Sequence, residues 1–168
     1  VGMVGAKLYY PDDTIQHAGV VVGLGGVAAH VLCKLPRDAE GYMGRLRCVQ
    51  EISAVTAACM MVKTSVFKAV GGFDEELKVA FNDIDLCMKV RKYGVKIVFT
   101  PYAELYHYES KSRGMEDTPE KQLRFSREVN CFRRKWEREL LKGDPYYNPN
   151  LTLNNTDCSL RKQEKNGD

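Results

Sequence analysis

The sequence predicts an α/β layer architecture, and three observations carry that prediction. Short apolar stretches rich in β-branched residues alternate with amphipathic stretches of helical period along the 168 residues. The helical stretches carry start and stop residues at their ends. The composition, 44% hydrophobic and 28% charged, is that of an ordinary globular chain and sets aside disordered or fibrous classes. The length suits one domain, or the second half of a larger one.

Residues 3–10 and 15–22 read as strands separated by the turn Pro11-Asp12-Asp13. Gly23-Leu24-Gly25-Gly26 matches neither phosphate-loop spacing and reads as a mobile loop, and residues 34–47 read as a polar surface excursion. Residues 54–62 (AVTAACMMV) form a nearly continuous apolar run, the pattern of a buried central strand. Thr64 or Ser65 then caps a short helix that Gly71-Gly72 stops. Asn82 reads as the N-cap of a helix reaching Tyr93, with Asp83 and Asp85 in its first turn, where the helix dipole favours negative charge. Residues 95–100 read as a strand ended by Pro101, and 102–108 as a second extended piece. Thr118-Pro119-Glu120 opens a long helix to Lys142, with Phe125, Val129, Phe132, Trp136 and Leu140 on one stripe. The tail from Asp144 shows little periodicity and reads as wrapped on the surface or partly disordered.

A formal net charge of +3 is too small to argue for nucleic acid, and none is expected as a partner. The six cysteines form no CxxC pair, which disfavours zinc ribbons and thioredoxin-type chemistry; Cys59 and Cys87 read as small core residues. This usage fits a reducing, cytoplasmic compartment. No apolar run is long enough to span a bilayer. The chain opens on Val1 directly in a strand, which reads as a truncated N-terminus. His17 and His30 have no partners at metal-ligand spacing and read as structural or surface residues.

The informative segment is 71–113, GGFDEELKVAFNDIDLCMKVRKYGVKIVFTPYAELYHYESKSR. A small-residue apolar run leads into KTSVFKAVGGFDE at 63–75. Then come the acidic helix start Asn82-Asp83-Ile84-Asp85, GVKIVFTP at 94–101, and a histidine in Tyr106-His107-Tyr108-Glu109-Ser110. In this order the motifs resemble the C-terminal, acceptor-side part of family 2 glycosyltransferases, inverting enzymes of the GT-A fold. The likeness runs from Met3 to about Asn150 and is closest to non-processive, rhamnosyltransferase-like members, since the QxxRW signature of processive members is absent.

The resemblance implies the C-terminal half of a GT-A fold, a mixed sheet with flanking helices and a long C-terminal helix. Residues 1–143 would be the acceptor-side part and 144–168 a tail. It implies inverting transfer of a sugar from a nucleotide-diphosphate donor to a glycan or lipid-linked acceptor in polysaccharide biosynthesis. Such a transfer needs a carboxylate to take the acceptor hydroxyl's proton, and a cation, Mg²⁺ or Mn²⁺, to offset the charge on the leaving diphosphate. By position Asp83 matches the family's base; Asp85 and Asn82 match acceptor-side or supporting positions, although Asn82 stands where members often have Glu. His107 matches a position near the metal or diphosphate, and a histidine packed among tyrosines is an equal reading of it. Lys111 and Arg113 would contact the donor diphosphate. The donor half's DxD motif is missing. Asp83 and Asp85 have its letters, but on a helix they project about 200° apart. Alone, the chain is therefore expected to be inactive.

A non-catalytic carbohydrate-binding or assembly module derived from such an enzyme is the alternative. The basic face of the 118–142 helix is compatible with peripheral contact at the inner membrane face, although Glu120, Glu128, Glu137 and Glu139 dilute it. A half-sheet with an open edge is compatible with a homodimer.

Overall fold

The computed structural model describes residues 1–108 and 118–162. Its core is a mixed sheet built around β1 (Met3–Tyr9), whose side chains are nearly all buried. One edge of β1 pairs in parallel with β7 (Ile97–Tyr106); the other pairs antiparallel with β6 (Met60–Val62) and β2 (Ile15–His17). The two-residue β5 (Gln50–Glu51) closes the far side of β7. A second ribbon, β3 (Val20–Val22) with β4 (Ala28–His30), lies off this sheet. The helices are α1 (Thr64–Ala69), α2 (Asn82–Lys92), α3 (Pro119–Lys135) and α4 (Glu137–Lys142). The α/β class is as the sequence predicts, with mixed strand directions.

Several boundaries differ from the sequence reading, each for a local reason. The 15–22 stretch divides at Gly19, whose φ of 107° turns the chain from one sheet to the other. The 54–62 run is no central strand. Ala54 and Val55 are buried, with Ala54 making a single bridge to Val20; a tight turn follows at Ala57–Cys59, and only Met60–Val62 forms a strand, at the sheet margin with Met61 76% exposed. Cys59 is accordingly only half-buried, whereas Cys87 is sealed in the core and burial pushes its thiol up to about 12.

Pro101 does not end its strand. β7 continues through it by a bulge: Ala6 stands opposite Thr100, but Lys7 stands opposite Glu104. Proline is tolerated at such a site because the ladder is already interrupted.

The long C-terminal helix is not continuous. It breaks at Trp136 (φ −114°, ψ 22°), and α4 restarts one residue later. The stripe survives the break, with Phe132 and Trp136 in the core and Val129 and Leu140 packed against it. Thr118 accepts a hydrogen bond from the Lys121 backbone at the start of α3, as its sequence position predicts. Lys63, rather than Thr64 or Ser65, occupies the N-cap of α1. Through Lys162 the tail is ordered: Tyr147, Leu151 and Cys158 are buried, and Leu151 bridges to Leu160. At 23–26 the chain forms a tight turn, Leu24–Gly26, with Leu24 in the core.

Helix α2 packs on β1 through close approach. A Cβ added to Gly5 would lie 2.3 Å from Cγ1 of Val55, and the Cys87 thiol meets Val55 and Met3. Gly5→Ala should therefore overpack the core and lower unfolding free energy by about 1–3 kcal/mol, read as an earlier urea midpoint. An unchanged midpoint would mean that this contact is loose.

Candidate active site

Phe81 adopts a left-handed conformation (φ 63°) and occupies the N-cap of α2, where the sequence placed Asn82. Asn82 is the first helical residue and makes no side-chain cap. The strained entry is held from outside: the buried carboxylate of Glu128 on α3 accepts hydrogen bonds from the backbone N–H of Val79 (3.2 Å) and of Ala80 (2.8 Å). The Phe81 ring packs against Phe125 and Phe132.

Asp83 follows in the first turn, half-buried. Its Oδ2 accepts the backbone N–H of Ala57 at 3.0 Å, and its Oδ1 accepts that of Ile84 at 2.9 Å. No cation pairs with it among the described residues, which leaves its remaining lone pairs for solvent or a ligand hydroxyl. The turn carrying Ala57 leads into β6, which runs antiparallel to β1 from Gly5. It therefore lies toward the C-terminal half of β1.

Asp85 faces the other way. It is 0% exposed. Its Oδ1 accepts from the Trp136 indole (2.8 Å) and the Lys135 ammonium (2.8 Å), while Oδ2 faces Lys89 at 3.3 Å without hydrogen-bond geometry. Lys135 also pairs with Asp74, and Lys89 donates to the carbonyl of Gly72 at 2.5 Å. Burial alone would lower the Lys135 pKa, but its hydrogen bonds to Asp74 and Asp85 raise it. One buried carboxylate thus joins α2, the α3–α4 break and the Gly71-Gly72 turn.

His107 follows β7. Its N–H donates to the carbonyl of Tyr9 at 2.9 Å, and its Nδ1 lies 2.6 Å from the amide nitrogen of Gln16. His107 and Asp83 thus both sit toward the C-terminal end of the parallel β1–β7 pair, the side where open α/β sheets bind ligands. No hydrogen bond or ion pair joins them among the described residues. Accepting from Gln16 commits Nδ1 and puts the ring proton on Nε2; the opposite amide rotamer would free Nε2 as a ligand. Among the described residues no three His, Cys, Asp or Glu side chains converge on a metal site, so the described part of the chain does not form one by itself. Lys111 and Arg113 lie outside the described residues.

Beside Gln16, His17 is fully buried, its Nδ1 2.9 Å from Nδ1 of His30. Burial first, and the His30 ring second, push the His17 pKa well below 6.5. A groove of about 560 Å³ beside Met88, Arg91 and Trp136 lies at the opposite end of α2, about 12 Å along the axis from Asp83.

Sequence reasoning missed Glu128, the Ala57 N–H and the Asp85 partners. Glu128 had a signal, since it stands three residues after Phe125 and four before Phe132, on the apolar stripe. The Ala57 contact had none, because it spans 26 residues of unrelated sequence.

No family model matches the chain, and no solved structure does. The chain is 60% identical over 161 residues to the uncharacterized protein y4gI of Sinorhizobium fredii (strain NBRC 101917 / NGR234), covering 95% of this chain and 18% of that protein. It is 40% identical over 169 residues to the O-antigen biosynthesis protein RfbC of Myxococcus xanthus, covering 100% and 13%. A 62-residue stretch, 37% of this chain, is 36% identical to an N-acetylglucosaminyl-diphospho-decaprenol L-rhamnosyltransferase of Mycobacterium tuberculosis, of which it covers 20%. The chain thus spans a fifth or less of these curated relatives. No helix among the described residues is long and apolar enough to cross a membrane.

Two outcomes follow. Asp85→Asn leaves Lys135 and Lys89 facing a neutral amide in the core and should cost about 3–5 kcal/mol in a urea titration. A loss under about 1 kcal/mol would show that the clasp is solvated. The second outcome concerns acid. The lowered His17 pKa means that the unfolded chain binds that proton more tightly. This contribution to stability is complete above about pH 6.5 and declines as pH falls toward the folded value. Melting temperature should drop between about pH 7.5 and pH 5.5, less steeply in His17→Gln. Equal slopes in the two proteins would exclude His17 as the source.

Proposed function

We propose that this chain is the acceptor-side part of an inverting, non-processive glycosyltransferase of family 2 and the GT-A fold, with Asp83 as general base. The observation that carries the reading is the placement of Asp83. It stands at a helix N-terminus, held by the Ala57 N–H and unpaired by any described cation, toward the C-terminal end of the parallel β1–β7 pair. Similarity to a protein named a rhamnosyltransferase supports it. The acceptor would be a glycan or a lipid-linked saccharide, and the donor a nucleotide-diphosphate sugar bound mainly by residues outside this chain.

In this reading Asp83 accepts the proton of the attacking hydroxyl as the new glycosidic bond forms on the opposite face of the donor carbon. The fixed Ala57 contact orients one carboxylate oxygen and so fixes the direction of the other. Asp85 acts on Asp83 only through α2, as a positioning residue, and Asn82 lies beside the base on the first turn. An Mg²⁺ or Mn²⁺ ion would offset charge on the leaving diphosphate. Of the proposed ligands in this chain only His107 is described, and with the Gln16 amide in the opposite rotamer it would serve through Nε2, with further ligands from elsewhere. Lys111 and Arg113 remain candidates for the diphosphate.

Asp83→Asn in the complete protein tests the assignment, because asparagine keeps the Ala57 hydrogen bond and loses the base. Transfer should fall by about 10²–10⁴-fold, while loss of the Ile84 hydrogen bond lowers the melting temperature only slightly. Wild-type turnover would remove Asp83 from the chemistry and favour the non-catalytic carbohydrate-binding or assembly module.

A further inference from the structure

The bulge in β7 opens a cavity of about 530 Å³ walled by Lys7, Arg37, Leu46, Arg47, Tyr102 and Glu104. Lys7 lies on the central strand and is only 4% exposed. Its ammonium reaches the carbonyl oxygens of Arg37 and Leu46, each at a long 3.4 Å. Among the described residues no carboxylate lies within ion-pair distance of it. The nearby Glu104 is already committed, accepting from Arg37 at 2.6 Å and from the Tyr9 hydroxyl at 2.7 Å. Arg37 is balanced in turn by Glu104 and Asp13. Arg47 pairs with Glu40 at 3.5 Å, with both side chains largely in solvent, and donates to the carbonyl of Asp38 at 3.0 Å. Asp38, also on the wall, has an exposed side chain.

A buried ammonium without a carboxylate costs folding free energy, and a methionine or leucine would fill the same space without that cost. Burial lowers the Lys7 pKa, opposed by Glu104. Glu104 lies on the same wall but is shared between Arg37 and Tyr9, so among the described residues no carboxylate is in direct contact with the Lys7 ammonium. At its mouth the Tyr102 side chain is 80% exposed, a flat apolar surface next to polar groups.

We propose that this cavity binds the anionic group of a sugar-bearing ligand, a carboxylate or phosphate ester, with Lys7 as its counter-charge, Arg47 at the rim and the Tyr102 ring against the sugar. The anion follows from the unpaired charge; the sugar rests on the transferase reading above. Bidding for both a charge and a sugar face, the site would select acidic or phosphorylated saccharides over neutral ones.

Titration of the 168-residue chain with glucuronate, glucose 1-phosphate and glucose at matched ionic strength tests this. One or both anionic sugars should bind and raise the melting temperature where glucose does not, and the better of the two identifies the group. Lys7→Met should weaken that binding about tenfold or more while leaving the unliganded melting temperature equal or higher. Arg47→Gln, at an exposed position that does not threaten folding, should weaken it severalfold and decides the matter if Lys7→Met does not fold. Binding no stronger than that of glucose, or affinities unchanged in the folded variants, would overturn the proposal. Neither result touches Asp83, whose test reads transfer in the complete protein.

Discussion

The buried carboxylate of Asp85 is the constraint on which the rest of the site depends. A charge sealed from water is tolerable only when well paired, and this one is met by the Lys135 ammonium and the Trp136 indole, with Lys89 behind it. Those partners come from α2 itself and from the point where the C-terminal helix breaks. Breaking at Trp136 leaves its indole N–H on the carboxylate while the ring stays in the core. The rotation of α2 about its axis is then set. Two residues earlier in the same helix, Asp83 must project to the other side, toward the Ala57 turn and the sheet edge. The two aspartates share letters with a metal-binding pair, but the fold divides their work. One is a clasp, and the other is presented outward.

The sheet contributes a second constraint. Among the described residues β1 is the one strand bonded along both edges for much of its length, and what stands on it is fixed by its partners. At Gly5 the partner is Val55, so close that no side chain fits. At Lys7 the partner strand bulges away, so a long charged side chain is buried beside a cavity rather than packed against a neighbour. The same strand therefore carries a very close approach at Gly5 and, two residues on, a buried ammonium that reaches only carbonyl oxygens at 3.4 Å among the described residues.

Much of the fold was legible in the sequence because its signals were local. β1, the helix opening at Asn82, the stop at Gly94 and the Thr118-Pro119 start all rest on residues adjacent to the element they define. Long-range packing accounts for the misses. The 54–62 run has the small apolar residues of a central strand, but Val55 packs against Cys87 of α2 and Gly5 of β1, and Ala54 makes only a single bridge to Val20. Pro101 reads as a stop only if the ladder is assumed unbroken. The apolar stripe of α3 and α4 keeps its period through Trp136, so periodicity could not show the break. At the site, the place of Asp83 on a first turn was readable. The inward turn of Asp85 had a single hint, Lys89 one turn later, and the clasping residues 135 and 136 lie too far along the chain to signal each other.

The claim that the fold presents Asp83 at a fixed point, and that this point matters chemically, is tested most directly by moving the carboxylate without removing it. The measurement is the single-turnover rate of sugar transfer in the complete protein bearing Asp83→Glu. With the charge retained but the oxygens displaced by roughly one methylene, the rate should fall by about 10²-fold in a protein that melts as the wild type does. A rate equal to wild type would contradict the account, because a carboxylate that can be moved freely is not a positioned base.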